Sequence, residues 1–151
     1  MTKEELLASG ELDFTVSKQK MFYHNEDWTQ GEQEYNDTSF FCTVNDKTGE
    51  GLGPVRSRYT VLQNADLLDN ILNKLEPDTY DLSESKCGMF SGGRKIYFFI
   101  KLKSGIVMGE DGLDVYLYAL SSHDGSQRLV YGVSTKWLTR ITIMLLNIQL
   151  K

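Results

Sequence analysis

The stretch ESKCGMFSGGRKIYFFIKL, residues 84–102, constrains the fold most. Two runs rich in β-branched and aromatic residues flank Gly92-Gly93, and a glycine pair between such runs is a strong hairpin signal. In the second run Arg94, Ile96, Phe98 and Ile100 alternate with Lys95, Tyr97, Phe99, Lys101 and Lys103. Successive side chains of a strand point to opposite faces. One face is therefore apolar apart from its first residue, and the other is basic and aromatic.

Other strand-like runs surround this hairpin. Residues 11–23 alternate loosely, TSFFCTV (38–44) is β-branched and aromatic, and VRSRYTVLQ (55–63) alternates again. NDKTGEGLG (45–53) is rich in turn formers and closes a hairpin between the second and third runs. Asn64 reads as a helix N-cap, because its side chain can accept from a free backbone N–H one turn on. The helix runs over about 65–75, with Leu67, Leu68, Ile71, Leu72 and Leu75 on one face, and Pro77 stops it. Residues 112–122 and 126–134 are two further strands. The tail KWLTRITIMLLNIQLK puts Trp137, Leu138, Ile141, Met144, Leu145 and Ile148 along one side of a helix, although its β-branched residues also suit a strand. The expected fold is α+β: a largely antiparallel sheet of six to seven strands, one helix near 65–75 and a C-terminal helix.

With 151 residues and only Pro54 and Pro77 to interrupt it, the chain is expected to form a single domain, residues 1–151. No apolar run approaches the roughly 18 residues that cross a bilayer. Cys42 and Cys87 match no metal or redox spacing, which suits a reduced thiol pair in the cytoplasm. Whether the two meet in space is open at this level. The net charge is -5, but residues 1–50 carry eleven acidic and four basic side chains while the remainder is slightly basic. The excess argues against a protein that coats nucleic acid generically and leaves room for a local basic face.

ALSSHDGSQRLVYGVSTK, residues 119–136, places Ser121, Ser122, His123 and Asp124 together. A serine triad needs its base between nucleophile and orienting group, which adjacent residues rarely allow. No G-x-S-x-G elbow and no phosphate-cradling G-x-x-x-x-G-K-[ST] loop occurs. Asp-Gly, by contrast, is favoured in tight turns. His123, Asp124 and Gly125 are therefore read as a structural turn. Glu110, Asp111 and Asp114 lie in a polar turn and lack EF-hand spacing; a divalent cation among them stays open. The chain is expected to be no enzyme, with no cofactor and no metal.

Two binding surfaces follow from the pattern. Lys86, Arg94, Lys95, Lys101 and Lys103 crowd around Tyr97, Phe98 and Phe99, while Arg56 and Arg58 flank Tyr59. Cations that track phosphates beside aromatics that stack on bases suit single-stranded nucleic acid. Arg56, Arg58, Lys95, Tyr97, Lys101 and Lys103 are the residues expected to carry it. The alternative is an acidic surface around Trp28 and Tyr35 that binds and inhibits a host protein built to receive phosphates. The apolar tail offers a seam for oligomerisation.

GEGLGPVRSRYTVLQN (49–64), GMFSGGRKIYFFIKL (88–102) and YLYALSSHDGSQRLVYGVSTK (116–136) stand in an order and spacing that resembles the DUF932 family, also called the phage/plasmid-like protein family. FFCTVNDKTGE (40–50) fits the strand and turn before the first motif. The likeness covers about residues 11–136. Pro54 stands where members carry glycine or valine, and the chain reads as truncated or altered after about Lys136. The resemblance implies an origin on phages, plasmids or integrated elements. It also implies a setting of DNA metabolism, recombination or anti-defence, and the host-cell cytoplasm if a phage encodes the chain.

Overall fold

A computed structural model describes residues 1–24, 35–108 and 111–135. Among these, the chain forms α1 (Lys3–Ser9), β1 (Val16–His24), β2 (Tyr35–Asn45), β3 (Gly51–Arg56), α2 (Asn64–Leu72), β4 (Tyr80–Phe90), β5 (Lys95–Met108), β6 (Asp111–Ser122) and β7 (Val130–Ser134), with a 3-10 turn at Pro77–Thr79. Every strand pair is antiparallel. The expectation of an antiparallel α+β fold holds, with one correction. The strands form two sheets, β1-β2-β3 and β4-β5-β6-β7, rather than one.

The alternation in β5 explains the core. Ile96, Phe98 and Ile100 are fully buried on the inner face of the second sheet, with Cys87 and Ala119 beside them. Leu6 and Leu7 of α1 and Leu67, Leu68, Ile71 and Leu72 of α2 cover that face. Leu12, Phe14 and Val16, which lead into β1, and Leu52 of β3 join the same cluster. At roughly 25 cal/mol per Å2 of apolar surface removed from water, this cluster is the main source of stability.

Helix α1 starts at a capping box. The Thr2 hydroxyl accepts from the Glu5 N–H at 3.2 Å, and the Glu5 carboxylate accepts from the Thr2 N–H at 2.7 Å. Thr2-x-x-Glu5 before Leu6-Leu7 is legible in the sequence as such a start, yet the expected elements begin only at residue 11.

Three local expectations are corrected. The third strand ends at Arg56, not Gln63. The Tyr59 N–H turns back to the Arg56 carbonyl, and the Lys18 ammonium takes the carbonyls of Ser57 and Tyr59, so these groups leave the ladder. Asn64 is not the N-cap of α2; Gln63 holds that position, and its side chain makes no capping bond. Both amides instead reach across to the chain before and at the start of β1. The last correction concerns residues 126–134, of which only Val130–Ser134 is strand. The expected C-terminal helix lies outside the described residues.

Gln63 behaves like a piece of strand backbone. Its Oε1 accepts from the Val16 N–H at 2.9 Å and its Nε2 donates to the Val16 carbonyl at 2.8 Å. This closes the start of the β1 edge and ties α2 to the first sheet. The two sheets meet at the loop after β6.

Candidate functional site

His123 lies in that seam and is 1% exposed. Its N–H donates to the Arg94 carbonyl at 2.7 Å, and its carbonyl accepts from the Thr43 hydroxyl at 2.8 Å. The Asn64 amide nitrogen donates to the carbonyls of Leu12 and Phe14, at 3.0 and 3.3 Å. Asn64 Oδ1 is thus left as an acceptor for His123 Nε2, 2.9 Å away. The partner chemistry fixes the tautomer: Nε2 carries the proton. The Phe14 ring meets the imidazole edge-on, with centroids 6.1 Å apart. Burial pushes the His123 pKa down to about 4, against the opposing pull of the Asp124 charge. The ring is neutral at pH 7, with its one N–H engaged.

The neighbours of His123 are equally committed. Ser122 Oγ accepts from the Gln127 N–H at 2.9 Å and donates to the Gln127 carbonyl at 3.1 Å. The Tyr59 hydroxyl donates to the Ser122 carbonyl at 2.8 Å. Asp124 Oδ1 accepts from the Ser126 N–H at 2.9 Å, and Gly125 has φ +72°, a conformation that L side chains rarely adopt. Burial disfavours the Asp124 carboxylate, but hydrogen bonding from Ser126 and the nearby Lys95 charge help to hold its pKa below the usual value. His123, Asp124 and Gly125 bend the chain away from β6. They are set in a longer loop that docks on the first sheet, not in a two-residue hairpin.

The basic–aromatic face of β5 is the outer face of the second sheet. Phe90, Tyr97, Phe99 and Tyr118 form a ladder across β4, β5 and β6, with successive centroids 5.1, 5.6 and 6.2 Å apart. Two of these rings pack against glycines. A Cβ on Gly88 would stand 2.5 to 2.9 Å from the Tyr97 ring and hydroxyl, and one on Gly132 would collide with Tyr118. Only glycine leaves room for either ring this close to the sheet, and both tyrosines are half-buried. Phe99, between them, is buried.

The expected cations divide into two groups. Lys101 is clamped by Glu84 and by Asp114, the latter at 3.0 Å, and those hydrogen bonds raise its pKa. Its charge is locally cancelled. Lys86, Lys95 and Lys103 make no ion pair among the described residues, and neither do Arg56 and Arg58. Arg56 and Arg58 line two adjoining clefts. One, of about 560 Å3, includes Ser39, Phe40 and Ser57; the other, of about 400 Å3, includes Pro54, Tyr59 and Asp124. Asp124 thus stands between the arginine clefts and Lys95, and joins the two regions expected to bind.

Phe40 was not singled out in the sequence. It pairs with Arg56 in the β2–β3 ladder and is 44% exposed. The signal lay in Phe40-Phe41, since adjacent strand residues face opposite ways and one of the two rings must point outward. Of the other expectations, Trp28 and Glu110 lie outside the described residues, and so does the acidic stretch around Trp28. No group of three or more His, Cys, Asp or Glu side chains is placed to hold a metal ion among the described residues. Cys42 and Cys87 are both free thiols with separate neighbours: Cys87 Sγ donates to the Leu6 carbonyl at 3.1 Å, and Cys42 Sγ to the carbonyl of Thr43 at 3.3 Å. No helix among the described residues is long and apolar enough to cross a membrane.

Comparison with known proteins found no match among curated proteins and none among solved structures. A family model described as "Domain of unknown function (DUF932)" matches residues 51–133, a span that begins at β3 and contains Arg56 and Arg58, the aromatic ladder and the His123 loop. With more than half of its length matched, the chain belongs to the DUF932 family.

Proposed function

We propose that this chain is a non-enzymatic phage- or plasmid-type protein of nucleic-acid metabolism that binds single-stranded nucleic acid on the outer face of the second sheet. The observation that carries the reading is the pair Tyr97 and Tyr118, half-buried aromatics of the outer face, each packed against a glycine. A ring with accessible surface accepts any base by stacking, at about 1–3 kcal/mol per base. Lys86, Lys95 and Lys103 border the ladder and meet the phosphates. Arg56 and Arg58, beyond Asp124, continue the path to the exposed Phe40 ring. Lys101 contributes little, because Glu84 and Asp114 already neutralise it.

Fluorescence anisotropy with labelled single- and double-stranded DNA and RNA at low salt tests the reading. The expected result is tighter binding of single strands, weakening as salt rises because counterions are released. Tyr97→Ala weakens it by roughly tenfold. Lys95→Gln lowers the salt slope by about one. Absence of binding at low salt would sink the reading and turn the search toward a host protein partner.

A further inference from the structure

Strand β3 ends at Arg56 because the chain folds back there. The Tyr59 N–H donates to the Arg56 carbonyl at 3.0 Å, and the Lys18 ammonium donates to the carbonyls of Ser57 and Tyr59 at 2.7 and 3.0 Å. Lys18 also lies over the Phe41 ring, 5.0 Å from its centroid, so its charge is already engaged. With the backbone held in this way, Arg56, Ser57 and Arg58 are all exposed. Both arginines line the cleft of about 560 Å3 that Ser39 and Phe40 complete.

Three properties of this cleft bear on its ligand. No carboxylate lines it, whereas Asp124 lines the adjoining cleft of about 400 Å3. Neither guanidinium makes an ion pair or hydrogen bond among the described residues, and the Ser39 and Ser57 hydroxyls are likewise unengaged there. Phe40 adds an aromatic ring that is 44% exposed, while its neighbour Phe41 is covered by Lys18.

We propose that this cleft binds a phosphate monoester carried on a nucleoside, with Arg56 and Arg58 on the phosphate oxygens and Phe40 against the base. Charge decides between a terminal and an internal phosphate. A monoester carries about −1.5 to −2 charges near neutral pH and presents three acceptor oxygens. A phosphate inside a strand carries a single charge. Two unpaired guanidiniums match the monoester, and their paired N–H donors suit its oxygens. The two serine hydroxyls supply further donors. Two sources present this chemistry: the phosphorylated end of a single strand, and a free mononucleotide. The strand-end form rests on the single-strand reading above and gives the binding path its terminus; the mononucleotide form does not need it.

Fluorescence anisotropy at one low salt concentration separates the sources. The probes are internally labelled single strands of one sequence, with a phosphate at the 5′ end, at the 3′ end or at neither. A nucleoside monophosphate and its parent nucleoside are titrated alongside by calorimetry. One phosphorylated strand is expected to bind roughly tenfold or more tightly than the unphosphorylated strand. Arg56→Gln and Arg58→Gln each abolish that difference and leave the thermal midpoint unchanged, since both side chains are exposed and unpaired. Tyr97→Ala weakens all three strands alike and keeps the ratio. A monophosphate that binds through both arginines, beside strands with no end preference, assigns the cleft to free nucleotides. Strands that bind equally whatever their ends, with a monophosphate that binds no better than its nucleoside, overturn the proposal and leave the single-strand reading standing. A phosphate preference that survives both arginine variants overturns it as well. If no strand binds, the single-strand reading fails; a monophosphate that still binds through both arginines upholds the cleft, and one that does not ends it.

Discussion

The imidazole of His123 and the carboxamide of Asn64 meet at 2.9 Å in the buried seam between the two sheets. They close the two most distinctive segments of the chain, RYTVLQN and SHDGS, which lie 59 residues apart in sequence. A second bond joins the same segments, from the Tyr59 hydroxyl to the Ser122 carbonyl. The polar residues of both segments thus hold the molecule together at the junction where its sheets meet.

A pair so committed must be energetically coupled. His123→Ala removes a buried ring and leaves Asn64 Oδ1 without its donor, and is expected to cost about 2–4 kcal/mol. Asn64→Ala frees the carbonyls of Leu12 and Phe14 and costs a similar amount. The double variant should lose less than the sum, by about 1 kcal/mol or more. Urea unfolding of the four proteins measures this; strict additivity would refute the coupling.

Acid should destabilise the fold through the same ring. The folded His123 pKa is pushed down to about 4, whereas the unfolded chain takes up its proton near the usual value of about 6.5. Between these values the unfolded state binds more protons, so stability falls as pH drops from 6.5 toward 4. The loss attributable to His123 is at most about 3 kcal/mol. Chemical denaturation across that range should show a steeper decline for the wild type than for His123→Asn.

Filling the space under Tyr97 should separate binding from folding. Gly88→Val lifts the ring off the sheet, because its first side-chain carbon would sit 2.5 Å from the tyrosine oxygen. Stability is expected to drop by about 1–3 kcal/mol. Single-strand affinity, measured well below the variant's melting temperature, is expected to fall roughly fivefold or more. Unchanged affinity in a folded Gly88→Val protein would remove Tyr97 from the binding face.

The two thiols should react at very different rates. Cys87 is buried, and burial pushes its pKa up to about 11, against a smaller opposing hydrogen bond from the Gly10 N–H. Thiolate is the reactive form, so Cys87 is inert in the native state. Cys42 is part-exposed. Titration with a thiol reagent should label one cysteine in the native protein and both after unfolding; two fast native labels would contradict the burial of Cys87.

Periodicity made the strands legible. The alternation in KIYFFIKL separated Ile96, Phe98 and Ile100 from Lys95, Tyr97 and Lys101, and each set lies on the face it implied. Helix α2 was equally plain from its leucines. Long-range polar chemistry was not legible. Asn64 looks like a cap because local rules give its side chain a local partner, yet it bonds Leu12, Phe14 and His123 instead. The clamp on Lys101 was hidden in the same way, since Glu84 and Asp114 reach it only through strand pairing. Division into two sheets depends on where VRSRYTVLQ stops being a strand, and that is decided by the Lys18 side chain from a distant segment.

The clamp of Gln63 on Val16 bears on how this chain can be dissected. The part matched by the family begins at Gly51, whereas the partners of Gln63 and Asn64 are at Leu12, Phe14 and Val16, and the hydroxyl that holds the His123 carbonyl belongs to Thr43. An excised fragment starting at Gly51 would strip those amides and that carbonyl of their partners and bare the apolar side of α2. Any truncation meant to preserve the matched region must therefore reach back at least to Leu12.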